Sequence, residues 1–351
     1  MSAQLPPPFI EAPCAWRNID LKPDEWVHEL SVTQVAEVEG AAQALAASDV
    51  ALTEITAAIF RLPRLGAWLR TILANEVLGG RGFTVIRGLD PRRLSRKESA
   101  AAFLGLGAHW GSARPQNAAG HILGHVKDLG RSSVDPTARL YQTHERQTYH
   151  TDSCDVVGLM CLQPAKAGGL SSLVSSVALY NAMRRQAPDL AAVLFEPIET
   201  DRRGEVAEGQ RPWFNVPVFN WHAGHFAGIY QRQYIESARR FADVSPLTST
   251  QVAALDLLDQ LAEDAAFHLQ IDFQPGDIQL VNNHVLFHDR TAFEDWPEPE
   301  RRRHLLRLWL APLAAQPLPA AFAERFGSIT PGERGGVNVA RDRWVAPLEV
   351  D

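Results

Sequence analysis

The sequence predicts an α+β fold in which a helical N-terminal third precedes a β-rich core with one long inserted helix. Apolar residues recur at helical spacing over 33–60 and 64–79, whereas several short apolar runs of strand length follow from residue 83 onward. A capping box formed by Thr248 and Gln251 opens the long helix inside the β-rich part. This order of elements is typical of a strand-built barrel or double sheet with helical additions.

The N-terminal elements are set by composition and by glycine. Residues 33–60 are rich in alanine and residues 64–79 repeat the helical pattern, which stops at Gly79 and Gly80. Residues 83–86 are a short apolar run that ends at Gly88 and therefore predict a buried strand. The pattern over 95–108 predicts another helix.

The core elements follow from apolar runs separated by turn residues. Strands are predicted over 156–162 and 170–175, on either side of a Gly168-Gly169 turn, and a helix over 176–187. Residues 213–229 predict a hairpin around Ala223 and Gly224, and the long helix from Thr248 extends to about residue 268. After a Pro-Gly-Asp turn at 275–277, strands are predicted over 278–286 and 304–310.

Length and composition favour one domain over residues 1–351. The 351 residues are 46% hydrophobic, which is enough to bury a full core. We expect a mostly helical extension over 1–80, a β-rich core with a helical insertion over 81–312, and a tail over 313–351 that wraps the surface. The tail is predicted from its frequent proline and glycine residues.

Charge and cysteine content exclude several classes of partner. The net charge of −7 disfavours binding to nucleic acid or to an anionic membrane, both of which select basic surfaces. No apolar run is long enough to span a bilayer, and no secretory leader is evident. Three cysteines without paired spacing indicate a reducing compartment, so we expect a cytoplasmic protein, with a homo-oligomer left open.

A histidine and an aspartate two residues apart, His150 and Asp152, form the first candidate metal site. In a strand alternate residues share a face, so this imidazole and this carboxylate can point at one ion. One neutral nitrogen ligand and one anionic oxygen ligand suit a divalent metal such as Fe(II). An H-x-D pair also arises by chance, so the site requires a third ligand from elsewhere in the chain.

The best source of a third ligand is the segment 282–290, which contains His284 and His288. Two histidines four residues apart could both bind one metal if the segment were a helix. The apolar alternation instead favours a strand, in which only one of the two would reach the ion. The residues by themselves leave open which histidine it is.

Two histidines and one carboxylate on one face of a metal leave three positions open, which a bidentate 2-oxo acid and O2 can fill. A dicarboxylate cosubstrate also needs a cation at its far end. In the strand over 304–310 and the residue before it, Arg303, Arg307 and Trp309 share one face. A buried arginine requires an anionic partner, and guanidinium suits a carboxylate. The alternative for Arg303 is an edge cluster paired with Glu298 and Glu300.

Taken in order, four motifs resemble the taurine dioxygenase/TfdA family of Fe(II)/2-oxoglutarate dioxygenases. They are H-T-D at 150–152, G-G-x-S at 168–171, N-H-x-x-x-H-x-R at 283–290 and R-x-x-x-R at 303–307. Their order spans roughly residues 80–312. The resemblance implies a double-stranded β-helix, or jelly roll, with helical N-terminal and inserted elements.

The same resemblance assigns the metal ligands. His150, Asp152 and His288 match the family's three ligands, because the family pattern selects the second histidine of the segment 282–290. His284 is then left with a supporting or structural role. The aspartate at 152 also matters, since halogenating relatives lack this carboxylate and place chloride there. The resemblance therefore implies an Fe(II)- and 2-oxoglutarate-dependent oxygenase and disfavours halogenation.

The resemblance also assigns a site for 2-oxoglutarate. Ser171 matches a hydroxyl that bonds the distal carboxylate of this cosubstrate, although the adjacent Ser172 is an alternative. Arg303 and Arg307 match the two arginines of the family's R-x-x-x-R motif. One or both should hold carboxylates of 2-oxoglutarate, and in taurine-type members the second arginine also touches the substrate anion.

Substrate recognition is expected in the segment 109–117, where the family lines its substrate side. This segment departs from the taurine-enzyme pattern of a histidine and a tyrosine, so taurine is not the expected substrate. Gln116 and Asn117 suggest neutral hydrogen-bond partners such as an amide, an amino acid or another polar metabolite. The alternative is that they cap a loop. Ser153, directly after the H-x-D pair, is a further candidate to face the substrate.

The resemblance implies hydroxylation of an unactivated C–H bond of a small polar metabolite, with O2 and 2-oxoglutarate consumed and succinate and CO2 as co-products. Desaturation or ring closure at the same iron site is an alternative outcome. A non-catalytic small-molecule-binding module on the same fold is a second hypothesis. A zinc-dependent isomerase or hydrolase with the same three ligands is a third, but it explains neither Arg303 nor Arg307.

Overall fold

The computed structural model describes residues 6–132, 140–204, 206 and 209–349, and these contain eight α-helices and seventeen strands. The helices are α1 (Val32–Ala46), α2 (Gly66–Ile72), α3 (Arg96–Ala108), α4 (Ser176–Gln186), α5 (Pro188–Val193), α6 (Arg232–Ser237), α7 (Ser249–Glu263) and α8 (Ala323–Phe326). The first nine strands are β1 (Val27–Glu29), β2 (Phe83–Arg87), β3 (Ser112–Ala113), β4 (Gly124–Val126), β5 (Gln147–His150), β6 (Val156–Gln163), β7 (Ala167–Gly168), β8 (Ser171–Ser175) and β9 (Pro197–Asp201). The others are β10 (Trp213–Pro217), β11 (Phe219–His222), β12 (His225–Gly228), β13 (His268–Ile271), β14 (Ile278–Asn282), β15 (Leu286–Arg290), β16 (Phe293–Glu294) and β17 (His304–Ala311).

The larger of the two main sheets has seven strands in the order β1-β2-β14-β6-β17-β3, with β4 paired to β17. One face of β17 carries Leu306, Leu308 and Leu310, which join a hydrophobic cluster with α3. Gly107 lets α3 approach closely, because a Cβ there would lie 2.6 Å from Leu308 Cδ1. The opposite face of β17 carries Arg307 and Trp309, and Arg303 directly precedes the strand.

The smaller main sheet has four antiparallel strands in the order β13-β8-β15-β5. A hydrophobic cluster joins residues of this sheet with residues of the larger sheet and of α4 and α7. Ser171 of β8 also donates a hydrogen bond to Gln279 of β14, at 2.9 Å, and so links the two sheets directly. The two sheets therefore pack around a shared core, and this packing positions the residues of the site.

Most predicted elements are present, with several boundaries corrected; the helix predicted over 33–60, for example, ends at Ala46. The predicted strand over 278–286 is two strands in different sheets, because the chain turns at residues 283–285 between β14 and β15. The long helix begins at the predicted cap on Thr248 but ends at Glu263, and β13 follows it. The helix over 64–79 is α2 continued by a π-helical turn over Leu73–Leu78.

The C-terminal tail packs more deeply than its composition predicts. Arg334 is fully buried, and Gly336 donates its backbone N–H to the carbonyl of Ser153 at 2.6 Å. Val337 donates to the carbonyl of Pro115, so the tail lies against both the H-x-D loop and the segment 109–117. The tail therefore does more than cover the surface, because it packs against two segments that carry candidate site residues.

Candidate active site

Strand register brings the three predicted metal ligands together. His150 ends β5 and pairs directly with His288 of β15, with ring centroids 4.2 Å apart. Asp152 lies in the loop two residues after β5, not in a strand as the sequence predicts, and its Oδ2 is 3.9 Å from His288 Nε2. One ligand atom of each residue lies within 4.8 Å of the other two, which is close enough to share one ion.

Both histidines are held in the neutral form that binds a metal. His150 Nδ1 lies 2.9 Å from the carbonyl of Thr148, a contact that requires the proton on Nδ1 and leaves the Nε2 lone pair for a ligand. The Gln147 amide is 2.9 Å from this Nε2, so it and a cation compete for the lone pair. Burial lowers the pKa of His150, and burial together with His150 lowers the pKa of His288 to about 3.

The carboxylate of Asp152 is kept ionised by two neighbours on β17. Trp309 Nε1 donates to Oδ2 at 2.8 Å and Arg307 Nη1 donates to the same oxygen at 3.1 Å. Burial by itself raises the pKa of Asp152, but the charge of Arg307, together with the hydrogen bond from Trp309, outweighs it and holds the pKa below its usual value. An anionic carboxylate between two neutral imidazoles results.

His284 is separated from the triad by a second buried network. Its Nε2 lies 2.7 Å from Asp155 Oδ1, and Arg334 Nε donates to the same oxygen at 2.8 Å. The neighbouring Asn283 donates to the backbone carbonyls of Asp152 and Cys154 at 3.2 and 3.0 Å. His284 therefore has a structural role, and this network fixes the loop that carries the aspartate.

A narrow inner cavity extends from the triad between the two sheets. Its polar lining includes Ser171, Arg290, Arg303 and Arg307. Arg303 is 4% exposed, its Nη1 has no hydrogen-bond partner among the described residues, and its Nη2 makes only a 3.5 Å contact with the carbonyl of Gly169. A buried guanidinium in this state requires an anion. Gly169 makes room for it, because a Cβ there would lie 2.9 Å from Arg303 Nε.

Two buried cations share this cavity. Burial lowers the pKa of Arg303 to about 10, and burial together with the charge of Arg303 lowers the pKa of Arg290 to about 9. Both shifts reflect the cost of burying a positive charge, which for Arg290 is increased by the nearby charge of Arg303. A small dicarboxylate in the inner cavity would relieve this cost.

Strand alternation on β8 distinguishes the two candidate serines. Ser171 lines the inner cavity, whereas Ser172 Oγ lies 2.7 Å from the hydroxyl of Tyr149, away from that cavity. Only Ser171 therefore shares the inner cavity with Arg303. Its present acceptor, Gln279 Oε1, is a buried neighbour that the sequence does not reveal.

A wider outer cavity of about 630 Å³ opens on the other side of the triad. His150, Asp152 and Arg307 line both cavities, so the two meet at the candidate metal site. The outer cavity also has aromatic and amide side chains, among them Tyr141 and Tyr234. It is the space in which a substrate can approach the triad.

The three predicted substrate residues, Gln116, Asn117 and Ser153, all line this cavity, but they differ in how their side chains are already hydrogen-bonded. Gln116 Oε1 accepts from Arg307 Nε and Gln116 Nε2 donates to the Arg307 carbonyl, each at 2.8 Å, so this amide positions the arginine. Asn117 Oδ1 accepts from the backbone N–H of His121 at 3.1 Å, which is the loop-capping alternative. Ser153 also lines the outer cavity, next to the triad.

Several residues and contacts around the site were not predicted from the sequence. The sequence places Trp309 on the same face as Arg307 but does not predict its hydrogen bond to Asp152. Three arginines of the outer cavity, Arg203, Arg240 and Arg325, come from separate parts of the chain and carry no common spacing.

The family model for "Taurine catabolism dioxygenase TauD, TfdA family" matches residues 48–309, which is well over half of the chain. The chain belongs to the TauD/TfdA family. It is thus an Fe(II)- and 2-oxoglutarate-dependent oxygenase, as the motif order predicts.

Two relatives are similar to this TauD/TfdA member in sequence, and one solved structure is similar to it in fold. It is 32% identical over 296 residues to the taurine hydroxylase-like protein SAT17 of Stachybotrys chartarum, covering 81% of this chain and 75% of that one. It is 28% identical over 295 residues to FR-33289 synthase of Streptomyces rubellomurinus, covering 82% and 85%. An asparagine oxygenase solved with Fe(II), 3-hydroxyasparagine and succinate has a TM-score of 0.62 at 17% identity, covering 81% and 93%.

The described residues fit the two groups that the TauD/TfdA family implies. Two neutral histidines and one ionised carboxylate within 4.8 Å are a donor set that suits Fe(II) and leaves positions open. The poorly solvated Arg303 and the Ser171 hydroxyl fit a dicarboxylate such as 2-oxoglutarate. Among the described residues, no helix has both the length and the apolar character needed to cross a bilayer.

Proposed function

We propose that this enzyme hydroxylates an unactivated C–H bond of a small polar metabolite, with His150, Asp152 and His288 holding Fe(II). One atom of O2 enters the new hydroxyl group and the other enters succinate, while the carboxyl group next to the keto group of 2-oxoglutarate leaves as CO2. The observation that carries the proposal is the position of the triad between a cationic inner cavity and an open outer cavity.

The chain's own residues account for binding and orientation. Ser171 and Arg303 are placed to hold the distal carboxylate of 2-oxoglutarate in the inner cavity, and Arg307 lies where the two cavities meet. Bound Fe(II) supplies the activation of O2. Val157, Leu159 and other apolar side chains of the inner wall exclude water from the cosubstrate.

The substrate is proposed to be amino-acid-like, an amide or a carboxylate. The solved relative is an asparagine oxygenase and the fungal relative is named taurine hydroxylase-like, so both names point to small polar molecules. Ser153 and Asn117 face the outer cavity as candidate contacts, and Gln116 acts through Arg307. Desaturation or ring closure would use the same residues and differ only in the product.

The organisation of the chain is part of the proposal. We infer a double-stranded β-helix in a single domain over 1–351, with parts 1–80, 81–312 and 313–351. Support comes from the core shared by the two sheets, which includes Ile10 and Trp16 of the N-terminal part. Free thiols at Cys14, Cys154 and Cys161 support a cytoplasmic location.

The test of the iron site compares Asp152→Ala with Asp272→Ala, a change at an exposed aspartate outside the site. Wild-type protein and Asp272→Ala should give a charge-transfer band with Fe(II) and 2-oxoglutarate without O2, and should release succinate with O2. Asp152→Ala should do neither. Succinate release that survives in Asp152→Ala would contradict the triad, and a wild type without the band would favour a binding module.

The test of the 2-oxoglutarate site compares Arg303→Gln with Arg302→Gln. Arg303 is buried in the inner cavity, whereas Arg302 is exposed and donates to the carbonyls of Trp296 and Pro297. Hydrogen bonds to charged groups contribute about 1.5–3 kcal/mol, so Arg303→Gln should weaken 2-oxoglutarate binding roughly 10- to 100-fold. Equal binding by both variants would remove Arg303 from the site.

A further inference from the structure

A short segment of the C-terminal tail, residues 334–337, lies against the two chain segments whose side chains hold Arg307. The family match ends at residue 309, so this segment, called the tail clamp below, lies outside the matched range. Asp152 accepts from Arg307 Nη1 at 3.1 Å, and Gln116 accepts from Arg307 Nε at 2.8 Å. The proposed metal-binding carboxylate and the amide that positions the arginine therefore share one guanidinium.

The tail clamp begins with a buried ion pair. Arg334 is 0% exposed, and its Nε donates to Asp155 Oδ1 at 2.8 Å. Its other two nitrogens donate to the carbonyls of Ile329 and Gln316, at 3.0 and 2.7 Å, so the guanidinium is held on all sides. Asp155 is also fully buried and lies three residues after Asp152, in the same loop. The ion pair therefore joins the tail to the loop that carries the proposed metal ligand.

Asn283 connects this ion pair to the metal ligand itself. Its backbone N–H donates to the carbonyl of Asp155 at 3.0 Å. Its side-chain amide exchanges two hydrogen bonds with the backbone of Asp152, donating at 3.2 Å and accepting at 3.3 Å. Arg334 thus acts on Asp152 through two intermediate residues and without touching the triad.

Two backbone hydrogen bonds complete the clamp. Gly336 donates to the carbonyl of Ser153 at 2.6 Å, and Val337 donates to the carbonyl of Pro115 at 2.8 Å. Ser153 directly follows the aspartate of the triad, and Pro115 directly precedes the amide that positions Arg307. The clamp therefore fixes the distance between the two segments on either side of this arginine.

The clamp can approach the loop this closely only because residue 335 is glycine. Gly335 has φ of 83°, and a Cβ there would lie 2.9 Å from the carbonyl oxygen of Ser153 and 3.1 Å from Cys154 Cα. Both neighbours are backbone atoms, which cannot turn aside as a flexible side chain can. Alanine at 335 would therefore push the clamp and the loop apart.

We propose that the tail clamp is a working part of the metal site, because it positions Asp152 and Gln116 around Arg307. Docking of the clamp and binding of Fe(II) then favour each other. The inference rests on the proposed function, since it takes Fe(II) as the ion at the triad, and it makes Arg334 a positioning residue. Such coupling is reciprocal: if release of the clamp weakens Fe(II) binding by some factor, Fe(II) binding lowers the released population by the same factor.

The first test compares Gly335→Ala with Gly332→Ala in the full chain. Both glycines have φ of 83°, so alanine strains the backbone equally, but at 332 the new Cβ would meet only the exposed side chain of Leu313, which can turn aside. Loss of support for a metal ligand typically weakens metal binding, so Gly335→Ala should lower Fe(II) affinity about tenfold or more. Gly332→Ala should bind as wild type does, measured by anaerobic calorimetry of the metal-free protein. Equal affinities would overturn the inference.

The second test compares Arg334→Met with Arg87→Met. Arg87 also pairs with a fully buried carboxylate, that of Asp277 at 2.8 Å, and lines neither cavity. Breaking either pair leaves a buried charge without its partner, so both variants should melt at a lower temperature than wild type. Only Arg334→Met should also weaken Fe(II) binding, about tenfold or more, which separates positioning from a purely structural role. Equal Fe(II) affinities in the two variants would remove Arg334 from the metal site.

The third test uses hydrogen exchange in the wild type and so does not depend on any variant folding. Saturating Fe(II) and 2-oxoglutarate without O2 should slow exchange of the Gly336 and Val337 amides by the same factor, about tenfold or more. Exchange that is unaffected by the metal overturns the inference. A wild type that binds no Fe(II) would overturn the proposed function as well, whereas one that binds Fe(II) with its charge-transfer band while exchange stays constant overturns this inference alone.

Discussion

Replacing Trp309 by phenylalanine tests how the protein orients the carboxylate of Asp152, a proposed metal ligand. The indole Nε1 donates to Asp152 Oδ2 at 2.8 Å, and the side chain is 5% exposed. Phenylalanine keeps most of the apolar surface and removes only this donor. Arg307 remains at 3.1 Å from the same oxygen, so the carboxylate loses one of two side-chain partners and with it part of its fixed orientation.

The expected loss follows from the charge of the acceptor. A hydrogen bond to a charged group contributes about 1.5–3 kcal/mol, and about 1.4 kcal/mol corresponds to tenfold in a binding constant. Removing a partner that orients a metal ligand typically costs about 10- to 100-fold in metal affinity. We therefore expect Trp309→Phe to weaken Fe(II) binding by about 10- to 100-fold, measured from the charge-transfer band during an anaerobic Fe(II) titration with saturating 2-oxoglutarate.

The matched control is Trp213→Phe, since Trp213 is also buried and its Nε1 donates to a carboxylate, that of Asp243 at 3.3 Å, away from both cavities. It should leave the Fe(II) affinity at the wild-type value. An unchanged affinity in Trp309→Phe, or equal losses in both variants, would refute the claim that this indole orients the carboxylate.

Two further predictions concern buried polar pairs. Gln116→Leu should lower the free energy of unfolding by about 1–3 kcal/mol in denaturant titrations, because it leaves the buried Arg307 Nε without its acceptor; no loss would mean that Arg307 finds another partner. Burial and the neighbouring His125 lower the pKa of His304 to about 3, so the unfolded chain takes up this proton before the folded chain does. Stability should therefore fall as the pH drops below about 6.5, by up to about 2 kcal/mol from His304 between pH 7 and 5. His304→Gln should lose less stability over that interval than wild type, and an equal loss would show that His304 does not contribute.

The main elements of the fold could be read from local pattern, and the exceptions have a physical cause. The cap at Thr248 fixed the start of α7, whereas its end depended on where β13 joins the smaller sheet. The predicted strand over 278–286 was one apolar run, but the turn at Asn283 sends its two halves into different sheets. Periodicity reports which residues are buried, not which sheet buries them.

The metal site was predictable in part. His150 and Asp152 lie two residues apart and were visible as a pair, although the aspartate lies in a loop. The choice of His288 over His284 rested on the family pattern, and the structure gives a reason for it. β15 pairs His288 with His150, while His284 is held by Asp155 outside the triad.

The sequence by itself determined which chemical groups are available: the motif order, the candidate metal donors, and Arg303 and Arg307. These groups lie in short segments with fixed spacing. Only the tertiary structure decided how those groups are supported and what surrounds them. Gln116 and Arg307 are 191 residues apart, and Arg202 and Glu324 are 122 residues apart, yet each pair is joined by hydrogen bonds. Contacts across such distances leave no periodic signature, since they depend on how the strands and the tail pack rather than on local spacing.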